Sequence, residues 1–245
     1  MRKVYLPLSF VCLLCSFLLL PVVKAGNNSE RSEKITSTDH NTAEASNVEY
    51  YGNLLYDSLH LGRLGMKKDA LMYAYKGQQN LVKKGRISNP GILTVCDFSQ
   101  PSHNKRLYII DVRNFKILLH TYVAHGKNSG NLYAQKFSNR PRSLQSSLGF
   151  YVTKGTYFGN HGLSLRLSGQ DRGFNDRAEA RAIVVHGAGY IGDEWVGGKM
   201  GRSFGCPAVP ARYASKVINL IKNGTCLFIY HPLKSYLHGS NVLNG

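Results

Sequence analysis

Two textures alternate along the chain. From Tyr50 to Lys84, apolar residues return at helical spacing: Tyr51, Leu54, Leu55 and Leu59 form one stripe and Ala70, Tyr73, Ala74 and Leu81 a second, with a break at Gly62 to Gly65. Gly85 stands where a helix C-cap would. From Gly91 the texture turns to strands. Ile92 to Phe98, Leu107 to Val112, Ile117 to Val123, Gly149 to Thr153, Leu163 to Leu167 and Ala182 to Val185 read as strands, the second and third joined as a hairpin across Arg113-Asn114. Pro210 to Lys222 predicts a helix, with proline in its first turn, Tyr213, Val217 and Ile221 at helical spacing, and Gly224 past its end. Thr225 to Tyr230 predicts a last strand. A long polar excursion, His125 to Ser147, interrupts the strands, and such loops inside a compact domain are usually functional. The pattern predicts a β-rich α+β domain over 89–245, closed by a C-terminal helix and strand and preceded by a small helical extension over 49–88.

The N-terminus reads as a leader. Met1-Arg2-Lys3 is basic, Val4 to Leu20 is apolar, Pro21 breaks the run, and Val23-Lys24-Ala25 is a small-x-small cleavage pattern, giving a signal peptide over 1–25. An uncleaved membrane anchor is the alternative, because the run is nearly long enough to span a bilayer. Residues 26–48 are rich in Ser, Thr, Asn and Glu and are expected to form a disordered linker. The expected compartment is therefore outside the cytoplasm, in the periplasm or cell envelope. The chain carries 31 basic and 14 acidic residues, a formal charge of +17. That sign suits nucleic acid, an anionic membrane or the acidic polymers of an envelope. The basic residues are scattered and no nucleic-acid motif accompanies them, so we read envelope affinity, with no nucleic-acid partner and no membrane contact beyond the leader.

Cysteine usage singles out one thiol. Cys12 and Cys15 lie in the leader, leaving Cys96, Cys206 and Cys226. Cys96 and Cys226 sit in apolar runs, as small buried hydrophobes or as a bridged pair. Cys206 lies instead among glycines, in Arg202-Ser203-Phe204-Gly205-Cys206-Pro207. Upstream, the apolar strand Ala182 to Val185 ends in His186-Gly187. A thiol is nucleophilic only as thiolate, and a histidine in hydrogen-bond reach supplies the base. The Gly187 carbonyl can hold the other ring nitrogen and fix the tautomer. The turn can aim the N–H groups of Gly205 and Cys206 at a developing oxyanion. These parts suffice for acyl transfer through a thioester. His103 and His161 read as turn residues, and His125 as either a substrate contact at the cleft mouth or a loop histidine. No histidine pair has ligand spacing with a third donor, and there is no phosphate loop or dinucleotide fingerprint, so neither metal nor cofactor is expected.

The order His186-Gly187, then Ser203-Phe204-Gly205-Cys206 at a mid-teens spacing, resembles the L,D-transpeptidase signature His-x-Ser-His-Gly-Cys. More closely, the chain resembles the murein L,D-transpeptidase catalytic-domain family, a branch of the YkuD-type enzymes, from about Tyr50 to the last strand. The likeness includes Asp97-Phe98-Ser99, Ala124 to Gly130, Phe137-Ser138-Asn139, Ser147 to Tyr151, Asn175-Asp176, Val185 to Ala188 and Gly201 to Pro207. It implies a YkuD-like β-sandwich catalytic domain. Cys206 would be the acyl-accepting nucleophile, His186 its base and Gly187 the carbonyl that orients it. Ser203, Phe204, Gly205, Arg202, His125 and Asn175 would form the oxyanion and substrate side. Two departures stand out: Phe204 replaces the usual second histidine, and Ala208 the arginine that usually follows the cysteine by two, for which Arg202 or Arg212 would substitute. The implied substrate is a peptidoglycan stem tetrapeptide, losing its terminal D-alanine. Another stem peptide, the lysine of a wall-anchored protein, or water (an L,D-carboxypeptidase) would take the acyl group. The rival from another class is a wall-binding module without turnover.

Overall fold

The structure is a computed structural model that describes residues 37–195 and 200–245, with side chains from residue 45. The leader and the first part of the expected linker lie outside the described residues. Helix α1 (Ser37–Ser58) begins inside the 26–48 stretch, so residues 37–48 are helical where a disordered linker was expected. Polar composition hid this: the segment carries too few apolar residues to show a stripe. A single 3-10 turn, Leu61–Leu64, links α1 to helix α2 (Lys68–Lys83), and Gly85 adopts φ 65° beyond its end, as the C-cap pattern requires. The two helices form a hairpin whose α2 face buries Ala70, Leu71, Ala74 and Leu81 against the sheet.

Eight strands form one mixed sheet in the order β3-β2-β1-β8-β4-β5-β6-β7. They are β1 (Ile92–Asp97), β2 (Leu107–Asp111), β3 (Lys116–Thr121), β4 (Gly149–Gly159), β5 (Gly162–Gly169), β6 (Val184–Ala188), β7 (Ala208–Pro210) and β8 (Cys226–Tyr230). The sheet closes into a nearly complete barrel or sandwich, the β-rich fold expected. β1 and β8 are buried along almost their whole length, which is why their sequences run apolar without alternation. β8 pairs parallel with β1 and antiparallel with β4, so the last strand, not a neighbour in sequence, joins the two halves. Cys96 and Cys226 are both free and buried. Cys226 pairs with Leu93, three residues before Cys96, so the two side chains point to opposite faces and cannot bridge.

The C-terminal helix α3 (Ala214–Ile221) follows a 3-10 turn at Ala211–Tyr213 and buries Val217, Ile218 and Ile221. It covers one face of β5 and β6, where Leu165 and Val185 are fully buried. The opposite face of those strands carries Arg166, Ser164 and His186. Short helices α4 (Lys234–Gly239) and α5 (Asn241–Asn244) complete the chain. They are tied down by Asp171, whose buried carboxylate accepts from Tyr236 Oη (3.0 Å), Ser240 Oγ (2.6 Å) and the N–H groups of Phe150 (2.9 Å) and Val242 (3.3 Å). Among the described residues no helix is long and apolar enough to cross a membrane.

Candidate active site

The site lies where β6 meets the turn that leads into β7. His186 is in the middle of β6, paired in parallel with Ala208 of β7, and Gly187 pairs with Val209. The ladder ends at Ala208, and Cys206 stands in the bend just before it, its thiol against the Ala182–Val184 stretch that leads into His186. The half-buried thiol lies along the β6 backbone: Sγ donates to Ala182 O at 3.7 Å and accepts from the Val184 N–H. Burial pushes its pKa up, offset in part by the Val184 N–H and the nearby Arg181 guanidinium. The resting thiol is thus protonated at neutral pH and needs a base to react.

His186 has one ring nitrogen committed to the backbone. Its Nδ1 lies 2.9 Å from Gly187 O, and a carbonyl can only accept, so Nδ1 carries the proton and Nε2 is left as the free base. This is the orienting contact the sequence assigned to Gly187. Gly187 must lack a side chain because a Cβ there would stand 2.8 Å from the Ala214 Cβ, on the face where α3 begins. Burial holds the imidazole below its ordinary pKa, opposed by the Gly187 carbonyl and reinforced by His161. His161, from the tip of the β4–β5 hairpin, stacks flat on the His186 ring with centroids 4.2 Å apart and planes 22° apart. A lone histidine in a hairpin turn gives no sequence signal of this, and it read simply as a turn residue.

The Cys206 turn is locked by Ser203. Ser203 Oγ donates to Cys206 O (2.6 Å) and accepts from Gly205 N–H (3.1 Å). The Gly205 N–H is therefore occupied and is not free for an oxyanion, contrary to the expectation from sequence. The Cys206 N–H makes no hydrogen bond to a described residue. Gly205 has φ 125°, and a Cβ there would meet Gln145 O at 2.9 Å, so only glycine fits the turn.

The polar excursion is the scaffold of this turn. Ser203 N donates to His125 O (3.0 Å), Lys127 N donates to Ser203 O (2.8 Å), and Ser146 Oγ donates to Gly205 O (3.3 Å). Arg181 clamps the far end of the excursion, donating to Ser138 O (2.6 Å), Gln145 O (2.7 Å) and the Ser147 hydroxyl. It is also the cation nearest in effect to Cys206, and sequence reasoning missed it because an isolated arginine before a strand reads as surface.

Other expected site residues stand elsewhere. His125 is fully buried rather than at the cleft mouth: Arg106 Nη2 donates to its Nδ1 (2.8 Å), which leaves Nε2–H to donate to Gly130 O (3.2 Å). Burial and the Arg106 charge push its pKa down to about 4, so it is a neutral structural side chain. Asn175 is also fully buried; it accepts from Asp171 N–H and donates to Phe150 O, both at 2.9 Å, and belongs to the Asp171 network, not to the substrate side. Arg202 is spent on loop closure, donating to Lys127 O, Gly130 O and Asn131 Oδ1. Arg212 is ion-paired with Asp193. Neither is poised to bind a substrate carboxylate. Phe204 is 70 % exposed with the Lys127 ammonium 5.2 Å over its ring, and fills no part of the dyad. Among the described residues no group of three acidic, histidine or cysteine side chains could hold a metal ion.

Residues 63–230 match the model of the L,D-transpeptidase catalytic domain, most of the chain. A search of curated protein sequences finds no match. Two solved structures are similar at low identity. An L,D-transpeptidase from Mycobacterium smegmatis is 14 % identical with a TM-score of 0.35, covering 58 % of this chain and 59 % of the other. The L,D-transpeptidase LdtMt1 in complex with imipenem is 14 % identical with a TM-score of 0.35, covering 57 % and 59 %. The chain thus spans under two thirds of the length of either. The match to the family model is the decisive one: this chain belongs to the L,D-transpeptidase catalytic-domain family.

Proposed function

We propose that this protein is an exported peptidoglycan L,D-transpeptidase acting through a thioester on Cys206. Its leader would carry it to the periplasm or cell envelope, where its stem-peptide substrates lie. The observation that carries the catalytic reading is the His186 Nδ1–H···O Gly187 bond, which leaves Nε2 free on the strand whose Val184 N–H holds the Cys206 thiol. A neutral thiol and a neutral imidazole are the resting pair, since burial raises one pKa and lowers the other.

In the reaction, the Cys206 side chain leaves Ala182 O and Sγ attacks the carbonyl carbon of the third stem residue. Nε2 of His186 takes the thiol proton as the S–C bond forms. The Cys206 N–H donates to the oxyanion. Collapse of the intermediate breaks the C–N bond, and His186 returns its proton to the departing D-alanine amine. An acceptor amine then attacks the thioester, gives its proton to His186, and expels the thiolate, which the imidazolium reprotonates. The acceptor is a second stem peptide or the lysine of a wall-anchored protein; water in its place would give the carboxypeptidase outcome.

The test is release of D-alanine from a purified tetrapeptide muropeptide. The wild-type chain should release it with a covalent peptide adduct visible by mass, and Cys206→Ala should do neither. Adduct formation that survives in Cys206→Ala would remove the cysteine from the mechanism.

A further inference from the structure

Residues 129–136, in the first half of the polar excursion, form a tight hook. Ser129 O accepts from the N–H groups of both Gln135 (2.8 Å) and Lys136 (3.0 Å), which closes the loop on itself. Gly130 lies so close to Tyr133 O that a Cβ there would collide with it. Three donors fasten the hook from behind. His125 Nε2 (3.2 Å) and Arg202 Nη1 (2.9 Å) both donate to Gly130 O, and the Ser102 N–H donates to Leu132 O (2.8 Å). His125 is in turn held by the fully buried Arg106, so a buried guanidinium and a buried imidazole are committed to the position of one surface loop. The reaction at Cys206 makes no use of the hook's outer side.

That outer side is a cavity of about 460 Å³, within the range of small-molecule sites. Its lining includes Lys127, Lys136 and Arg202 and no carboxylate. Neither lysine ammonium is ion-paired with a described residue. Cations without an anion among them favour an anionic ligand and repel an amine, which sets this cavity apart from a seat for an acyl acceptor. The remaining lining is mostly amide, hydroxyl and one aromatic ring. The Gln135 amide, the Asn131 Nδ2 and the Tyr133 hydroxyl make no hydrogen bond to a described residue, and Tyr133 is 47 % exposed. Free amides both donate and accept, as ring hydroxyl and acetamido groups require. An exposed aromatic face packs well on the C–H face of a sugar ring. Lys127 also lies over the exposed Phe204 ring, which adds a second aromatic face beside this lysine.

We propose that this cavity binds a carboxylated saccharide. Lys127 and Lys136 take the carboxylate, Gln135 and Asn131 the hydroxyl or acetamido groups, and the Tyr133 ring lies against the sugar. Arg202 holds the hook and adds to the positive potential. The site is separate from the dyad and does not depend on chemistry at Cys206. It tethers the domain to an acidic glycan, either the wall glycan itself or a uronate polymer.

Titration calorimetry on the Cys206→Ala chain tests this with the disaccharide of N-acetylglucosamine and N-acetylmuramic acid, a glucuronate disaccharide, neutral N,N′-diacetylchitobiose and inorganic phosphate. A carboxylated saccharide should bind about tenfold more tightly than chitobiose or phosphate, as a charge-assisted contact predicts. Lys136→Gln should remove that advantage and leave chitobiose unchanged. Tyr133→Ala should weaken every saccharide that binds and leave phosphate unchanged. Both side chains are exposed, so the fold should survive either change. Preference for the muramic acid disaccharide supports the site as a wall-glycan tether, and preference for the uronate supports it as a tether to another acidic polysaccharide. Chitobiose or phosphate binding as tightly as the acids, no binding of either acid, or full affinity in Lys136→Gln overturns the assignment. In the active chain both variants should form the Cys206 adduct at the wild-type rate; a slowed adduct would make the hook part of the reaction site and overturn its separateness. A chain that binds the acidic saccharide yet never acylates keeps this inference and loses the reaction.

Discussion

At the scale of single residues, burial leaves both members of the proposed dyad neutral. Because the folded pKa of His186 lies below its ordinary value, Nε2 stays a free base into mildly acidic solution. The acidic limb of kcat/KM should therefore fall below the usual imidazole range. Cys206 is shifted the other way, so alkylation by a small neutral reagent should keep rising with pH well beyond neutrality. A flat alkylation profile between neutral and mildly alkaline pH would mean a preformed thiolate. His161 separates two effects. His161→Phe keeps the stacked ring and removes the like charge, so the acidic limb should move to higher pH. His161→Ala also loses the ring contact, about 0.5–1.5 kcal/mol for an aromatic pair, and should slow acylation roughly three- to tenfold. Single-turnover acylation across pH checks both. The sequence showed Cys206, His186 and Gly187 because each is marked by a glycine neighbour or a strand end. It could not show His161 or Arg181, whose contacts arise only when distant segments come together.

At the scale of elements, the Cys206 turn owes its shape to a loop that precedes it by some sixty residues. Gly205 carries the positive φ, Ser203 ties the turn to itself, and Ser146 and His125 hold it from outside. Gly205→Ala should destabilise the fold by about 1–3 kcal/mol through backbone strain and contact with Gln145 O. Acylation should suffer more than stability, since the Cys206 N–H moves with the turn. Chemical denaturation and adduct formation measured on the same sample separate the two, and a variant as stable and as reactive as wild type would refute the strain. The hairpin, β5 and the last strand were plain from their apolar patterns. β7 was not, because it is three residues long, follows Pro207 and ends in Pro210, and pairs only with β6 and with Ala124 among the described residues. The reach of β4 beyond Thr153 was hidden too, since a register shift between Thr153 and Thr156 interrupts its alternation.

At the scale of the whole molecule, two buried polar groups hold the halves together. Asp171 binds the C-terminal helices to β4 and accepts four hydrogen bonds. Asp171→Asn replaces an acceptor with a donor facing two hydroxyls and two N–H groups, and should cost roughly 2–4 kcal/mol in denaturant unfolding. An unchanged midpoint would show the network to be idle. His125 governs acid stability: its folded pKa of about 4 lies below that of the unfolded chain, so the unfolded state binds the proton first. Stability should be complete above about pH 6.5 and fall as pH drops toward about 4, and His125→Asn should flatten that slope in thermal melts. The Ser, His and Asn content of α4 and α5 concealed these elements, because their order comes from Asp171 rather than from an apolar stripe.

The measurement that bears most directly on the central claim is the intact mass of the mature chain after incubation with a carbapenem, followed by peptide mapping. A β-lactam carbonyl presents the same acyl carbon to the dyad without requiring the natural acceptor. One adduct per chain, mapped to Cys206, absent in Cys206→Ala and slow to form in His186→Ala, is the predicted result. An unmodified chain, or an adduct that forms at the same rate without His186, would contradict the account.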